Sequence, residues 1–238
     1  MMRLRAPGAS LPDVGPTIGN VLPLGVGVAL SPLPIVGVIL MLATPRARAN
    51  GLGFVAGWIV GLALVGVIVL LASDGAGASD QGEPKTWVGV LKLVLGAALV
   101  LLAVREWRTR PRGDEEGKLP SWMSAIDTFT ATRATALGFA LSALNPKNLA
   151  LALAAGATIA QAGLPAGQQA VVLAVFVVVG TLGPGLPVAV YLLAGRGAEH
   201  RLAEMRTWMT RNNTAIMAVL CLVIGAKLLG DGLAALTG

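Results

Sequence analysis

The sequence predicts an all-α integral membrane protein: six transmembrane helices forming two inverted three-helix repeats, the first and fourth helices broken in mid-membrane. Three observations predict it. The composition is strongly apolar, six apolar runs alternate with polar connections, and an internal repeat puts a proline-containing break in the same helix of each half.

Of 238 residues, 55% are hydrophobic and 13% are charged. A water-soluble domain carries about a quarter charged residues, so lipid is the solvent this chain is built for. Its 31 Gly and 14 Pro fit that reading, because membrane helices tolerate both residues better than soluble ones do. The net charge of +6 lies in the connections between apolar runs, which is the positive-inside pattern and argues against nucleic acid as a partner. The single cysteine, Cys221, falls within an apolar run and is expected to pack as a small hydrophobe. The single histidine, His200, is expected in a charged, solvated loop.

The apolar runs cover about 17–44, 50–72, 86–105, 135–160, 167–194 and 213–236, each near or above the ~20 residues a span needs. Arg3 and Arg5 precede the first run as they would a signal peptide, but the run is too long for one and reads as the first membrane helix. The connections are Pro45–Asn50, Ser73–Lys85, a long charged segment at about 106–133, and shorter polar ones beyond it. Within the long segment Trp122, Met123, Ile126 and Phe129 fall near helical spacing and predict a short interfacial helix. The chain reads as one membrane domain, 1–238, with repeat 1 at about 16–107 and repeat 2 at about 134–238.

Arg and Lys residues crowd the first, third and fifth connections, at Arg46, Arg48, Arg105, Arg108, Arg110, Arg112, Lys118, Arg133, Arg196, Arg201, Arg206 and Arg211. The other side carries only Arg3, Arg5 and Lys85. The expected location is a bacterial cytoplasmic membrane, with both termini outside.

The repeat is carried by two ungapped matches in the same order. Gly27–Leu33 (GVALSPL) matches Gly138–Leu144 (GFALSAL), and that register also pairs Leu40, Leu42 and Ala43 with Leu151, Leu153 and Ala154. Leu91–Ala97 resembles Leu220–Ala226. A repeat of three spans inserts its second copy upside down, as in many transporters.

Both matched helices are interrupted. The first contains Ser31-Pro32-Leu33-Pro34 and the second Asn145-Pro146-Lys147-Asn148. Proline removes a donor and frees a carbonyl one turn back, and paired breaks in two repeats point to a central binding site. Lys147 falls near mid-depth, where a lysine costs roughly 3 kcal/mol and must face protein, water or ligand. With Asn145, Asn148 and Ser31 it forms a candidate site for an anionic group; the competing expectation is that Lys147 only bonds carbonyls freed by the break. Lys92 and Lys227 are expected to snorkel from helix ends, Lys227 with an ion pair to Asp231. Gly183, Pro184, Gly185 and Pro187 predict a hinge or an unwound segment in the fifth span. Gly53, Gly57 and Gly61 predict a close helix contact.

No Asp, Glu or His falls deep in a run, and Cys221 has no partner cysteine, so proton relays, metal pathways and thiol exchange find no support in the sequence. Nothing in it suggests an enzyme or a cofactor.

Ser31-Pro32-Leu33-Pro34, Trp122-Met123 at the end of the long loop, and above all Asn145-Pro146-Lys147-Asn148-Leu149-Ala150-Leu151-Ala152 resemble the GAP family. These are the peptidoglycolipid- or sulfolipid-addressing proteins of actinobacteria, in the LysE transporter superfamily. The likeness extends from about Pro16 to the C-terminus. It implies a LysE-like six-helix exporter fold and outward movement of cell-envelope glycolipids.

The expectation is a transporter for an anionic amphiphile, working by alternating access. Lys147 binds the head group, Asn145, Asn148 and Ser31 orient it, and Pro32, Pro34 and Pro146 hold the breaks open. Expected partners are membrane lipids and the anionic lipid-like substrate, with room for a homo-oligomer and for a cytoplasmic envelope-biosynthesis partner at loop 106–133. The alternatives are an exporter of small, amino-acid-like solutes and a non-transporting scaffold for envelope assembly.

Overall fold

The computed structural model describes residues 14–75, 86–109, 126 and 128–237. Among them are eight α-helices and no strand: α1 (Val14–Ala29), α2 (Pro32–Leu42), α3 (Ala47–Gly75), α4 (Thr86–Arg108), α5 (Ala131–Ala143), α6 (Pro146–Gln161), α7 (Ala166–Ala194) and α8 (Glu199–Thr237). Trp122 and Met123 of the expected interfacial helix lie outside the described residues; Ile126 is buried.

Four of these helices, α3, α4, α7 and α8, are long and apolar enough to cross a membrane. A fifth candidate is the pair α1 and α2, bent by 51° at their junction. Large side chains such as Leu71, Leu101, Val178 and Val223 are more than half exposed on the long helices, as suits surfaces facing lipid tails.

The stretch expected as the fourth span, 135–160, is divided into α5 and α6 and is not among the candidates. Neither α5, with 13 residues, nor α6, with 16, is long enough to cross alone, and Asn145, Lys147 and Asn148 lower the hydropathy at their junction. Helix α6 is walled in by α1, α3, α4, α5 and α7, and most of its residues are buried, among them Ala150, Ala152, Ala154, Ala155 and Ala157. A helix that touches protein on all sides needs small side chains for close packing rather than lipid-grade apolarity.

The two breaks have one cause. A residue preceding proline is pushed out of the α region by the pyrrolidine ring, and Ser31 and Asn145 accordingly adopt extended backbones, with φ/ψ of −79°/107° and −66°/123°. Pro32 and Pro146 then open α2 and α6 at the first helical position, where a missing N–H does no harm.

Helix α7 departs from expectation, since Pro184 and Pro187 sit inside 29 continuous helical residues and no unwound segment occurs there. Gly183, lacking a Cβ, relieves the clash that normally precedes proline. The missing N–H of Pro184 leaves the Gly180 carbonyl without its helical donor, and Trp58 Nε1 on α3 donates to it at 3.2 Å. The helix ends at Gly195, whose φ of 56° is left-handed.

Helix α8 also differs. It begins at Glu199 rather than near 213, so His200 stands in its first turn, 3.2 Å from Glu204 one turn on. The stretch 199–212 is rich in Arg, Leu, Ala, Glu and Met, which are strong helix formers. It continues the apolar helix as a charged one.

The expected glycine contact is present. A Cβ at Gly57 would lie 2.0 Å from the Thr135 carbonyl oxygen, and one at Gly138 would lie 2.1 Å from that of Phe54. Helices α3 and α5 therefore touch backbone to backbone. On the other side of the bundle, a Cβ at Gly183 would lie 1.9 Å from the Ala29 oxygen, bringing α7 onto the end of α1.

Candidate functional site

The two breaks meet inside the bundle. Leu30 N donates to Val26 O at 2.9 Å to finish α1, and Leu144 N donates to Ala140 O at 2.9 Å to finish α5. The next carbonyls, Gly27 O and Leu141 O, would each need an amide from the extended residue that follows. At the first break that amide, Ser31 N, turns instead to Val28 O at 3.2 Å. A buried carbonyl left without a donor costs about 1–3 kcal/mol.

Adjacent side chains of α6 serve both carbonyls. Lys147 Nζ donates to Gly27 O at 2.7 Å, across 120 residues of sequence. Asn148 Nδ2 donates to Leu141 O at 2.9 Å. The Ser31 hydroxyl has two acceptors within reach, Val28 O at 2.8 Å and Asn148 Oδ1 at 2.9 Å. Asn145 acts locally, its Oδ1 accepting from Lys147 N at 3.1 Å to cap α6.

Burial makes Lys147 unusual. The residue is 2% exposed and Asn148 is fully buried. An ammonium has three donors, and among the described residues Gly27 O is its one hydrogen-bonding partner and no carboxylate pairs with it. Cys221 of α8, itself buried, stands within electrostatic reach of it. The structure thus brings Lys147, Asn148 and Ser31 together, with the buried Pro32 and Pro34 beside them, while Asn145 is half-buried and Pro146 is exposed. The expected bond from Lys147 to a carbonyl freed by a break is present; its acceptor is the other half's break, not its own.

An apolar groove of about 360 Å³ runs between α3 and α7, lined by Ile59, Val178, Thr181, Leu182, Gly185 and Leu186. Gly185 places it beside the prolines of α7.

Residues 21–234 match the family model described as Sap, sulfolipid-1-addressing protein. The chain belongs to this family. No curated protein and no solved structure matches it. The match covers both breaks and the Lys147 cluster.

A second polar cluster was not expected. Lys92 on α4 does not snorkel: it is 6% exposed, and its Nζ donates to Gln161 Oε1 at the end of α6, 3.0 Å away. The Lys227–Asp231 ion pair is present as expected, and Asp231 lines the same cavity as Lys92. The signal was there in two polar residues, Lys92 and Gln161, placed near the ends of apolar runs that belong to different halves.

Proposed function

We propose that this member of the sulfolipid-addressing family is a membrane exporter of an anionic amphiphile, such as a cell-envelope glycolipid or a lipid-linked phosphate. The observation that carries the reading is Lys147, a buried ammonium held by a backbone carbonyl with no carboxylate beside it among the described residues. A charge buried in this way is costly unless an opposite charge joins it. An anionic head group would supply that charge, with the Asn148 amide and Ser31 hydroxyl available to orient it and the groove between α3 and α7 open to an acyl chain. The family's description, which names a sulfolipid, favours the same chemistry.

The transport cycle in this reading is alternating access between two inverted repeats, counted as six spans with α5–α6 as the fourth. The packing supports it. Exchanging α1 with α5, α2 with α6, α3 with α7 and α4 with α8 turns the α3–α5 contact into α7–α1, α3–α6 into α7–α2, α4–α6 into α8–α2 and α2–α3 into α6–α7. The α1–α6 contact has no counterpart of similar extent between α5 and α2, so the halves differ in this state, as they would in a single state of an alternating cycle. Motion would centre on the α1–α7 contact, where Gly183 to Pro187 can bend. The same proposal places the protein in the LysE superfamily and in the cytoplasmic membrane with both termini outside, working without a cofactor and without catalysis.

The Lys147–Gly27 bond favours one other reading, in which Lys147 is only a latch holding the two breaks together. Native mass spectrometry of the full chain in mild detergent separates the two. For the transport reading, an anionic lipid retained by wild type is lost, at least tenfold, in Lys147→Met. If both proteins retain the same lipids and the variant is merely less stable, Lys147 is a latch and the transport reading loses its site.

A further inference from the structure

A cavity of about 280 Å³ opens at the end of the bundle where α1 and α4 begin and α6 and α8 finish, roughly 21 Å along α6 from Lys147. It is lined by Asn20, Lys92, Thr158, Gln161 and Asp231, with the small Ala234 and Ala235 leaving it space. Lys92 is more than nine-tenths buried, and its bond to Gln161 uses one of three ammonium donors. Asn20 and Thr158 have no side-chain hydrogen bond among the described residues. Among the described residues Asp231 is the one acid lining the cavity, and its charge is met by Lys227. The cluster therefore carries one net positive charge, surrounded by an amide, a second amide and a hydroxyl. An ammonium donates charge-assisted hydrogen bonds to an oxyanion, and amides and hydroxyls beside it can bond neighbouring hydroxyls.

We infer that this cavity is a second anion site, taking the sulfate-monoester or phosphodiester head group of a glycolipid, with Lys92 as its cation and Asn20, Thr158 and Gln161 binding the adjoining hydroxyls. The exposed Asn20 and Ala234 leave its mouth open at the bundle surface, so a head group can enter with its chains remaining in lipid. The site stands on its own geometry. Only its place as the outer station of a route that starts at Lys147 rests on the transport reading.

The test uses the full chain in phosphatidylcholine nanodiscs, with galactosylceramide 3-sulfate and its unsulfated parent as probes and inorganic sulfate as competitor. Wild type is expected to prefer the sulfated lipid at least tenfold, and Lys92→Met to erase the preference. Gln161→Glu guards against a folding artefact. It gives Lys92 an internal carboxylate, so thermal stability holds or rises while the preference disappears; a purely structural Lys92 would leave the preference intact. Asp231→Asn is expected to tighten binding several-fold by removing a competing charge.

If Lys92→Met and Gln161→Glu both keep the preference, the inference is overturned. If Lys147→Met alone erases it, binding belongs to the central site, and the inference fails while the transport reading stands. If Lys147→Met keeps the preference and Lys92→Met loses it, the inference holds independently of transport. Inorganic sulfate that competes at millimolar concentration shows that the oxyanion is recognised without its sugar; failure to compete shows that the sugar contacts are needed as well. Both results support the site.

Discussion

At the first break the chain closes α1 at Leu30, extends through Ser31 and restarts on Pro32; at the second it closes α5 at Leu144, extends through Asn145 and restarts on Pro146. The backbones correspond residue for residue, yet the side chains do not. Where the second break carries Lys147 and Asn148, the first carries Leu33 and Pro34. One half thus supplies the polar groups for both orphan carbonyls, Gly27 O through Lys147 and Leu141 O through Asn148. The X-Pro step explains the shared backbone, because it forces the residue before each proline out of the helical region. The donors sit on α6, a helix with most of its residues buried, where a polar group cannot escape to an interface.

The sharpest way to break this comparison is at the glycines that press on each break. Gly183→Ala sets a methyl against the Ala29 backbone, 1.9 Å from its oxygen, and neither partner can rotate away. Gly61→Ala meets first the Ser142 hydroxyl at 2.0 Å, a side chain with other rotamers, and then the Phe139 oxygen at 3.0 Å. Overpacking costs about 1–3 kcal/mol. Thermal unfolding in detergent should put Gly183→Ala at the top of that range and Gly61→Ala near the bottom; equal losses would show that the two contacts are mechanically alike.

A loss no larger than that of Gly183→Ala is expected from Asn148→Leu. It strands Leu141 O and withdraws the acceptor shared with Ser31, a change of about 1–3 kcal/mol, whereas Pro34→Ala at the corresponding position of the first break removes no hydrogen bond and should cost less. The alkylation rate of Cys221, the chain's single cysteine, gives a second readout: it is 1% exposed and lies near Lys147. Opening of the breaks in Asn148→Leu should speed its reaction with a maleimide severalfold.

Much of this was legible in the residues, and the exceptions have physical reasons. The apolar runs and both breaks follow from composition and from Ser-Pro and Asn-Pro steps, which act locally. The ungapped match Gly27–Leu33 to Gly138–Leu144 runs three residues out of register with the breaks, since it pairs Ser31 with Ser142 whereas the residues at the two breaks are Ser31 and Asn145. Alanine, leucine and glycine carry too little information to fix a register to within one turn. The cytoplasmic-type charges at 199–211 looked like a loop because helices outside lipid need no apolar period. The acceptor of Lys147 is a backbone oxygen, which no residue type announces. Lys92 looked free to snorkel because its neighbour Gln161 belongs to a helix 69 residues away.

The smallest effects test how each helix restarts. Asn145 caps α6 through its side chain, while Ser31 makes no side-chain cap to α2. Asn145→Ala should therefore cost about 1 kcal/mol through the lost cap. Ser31→Ala should leave the start of α2 unchanged and lose only its bonds to Val28 O and Asn148 Oδ1, about 0.5–1.5 kcal/mol. A double-mutant cycle of Ser31→Ala with Asn148→Ala separates these two bonds. A coupling of about 0.5 kcal/mol or more places the serine proton on Asn148 and makes Ser31 a true link between the halves. A coupling near zero places it on Val28, within its own break, and leaves Lys147–Gly27 as the hydrogen bond that joins the two breaks.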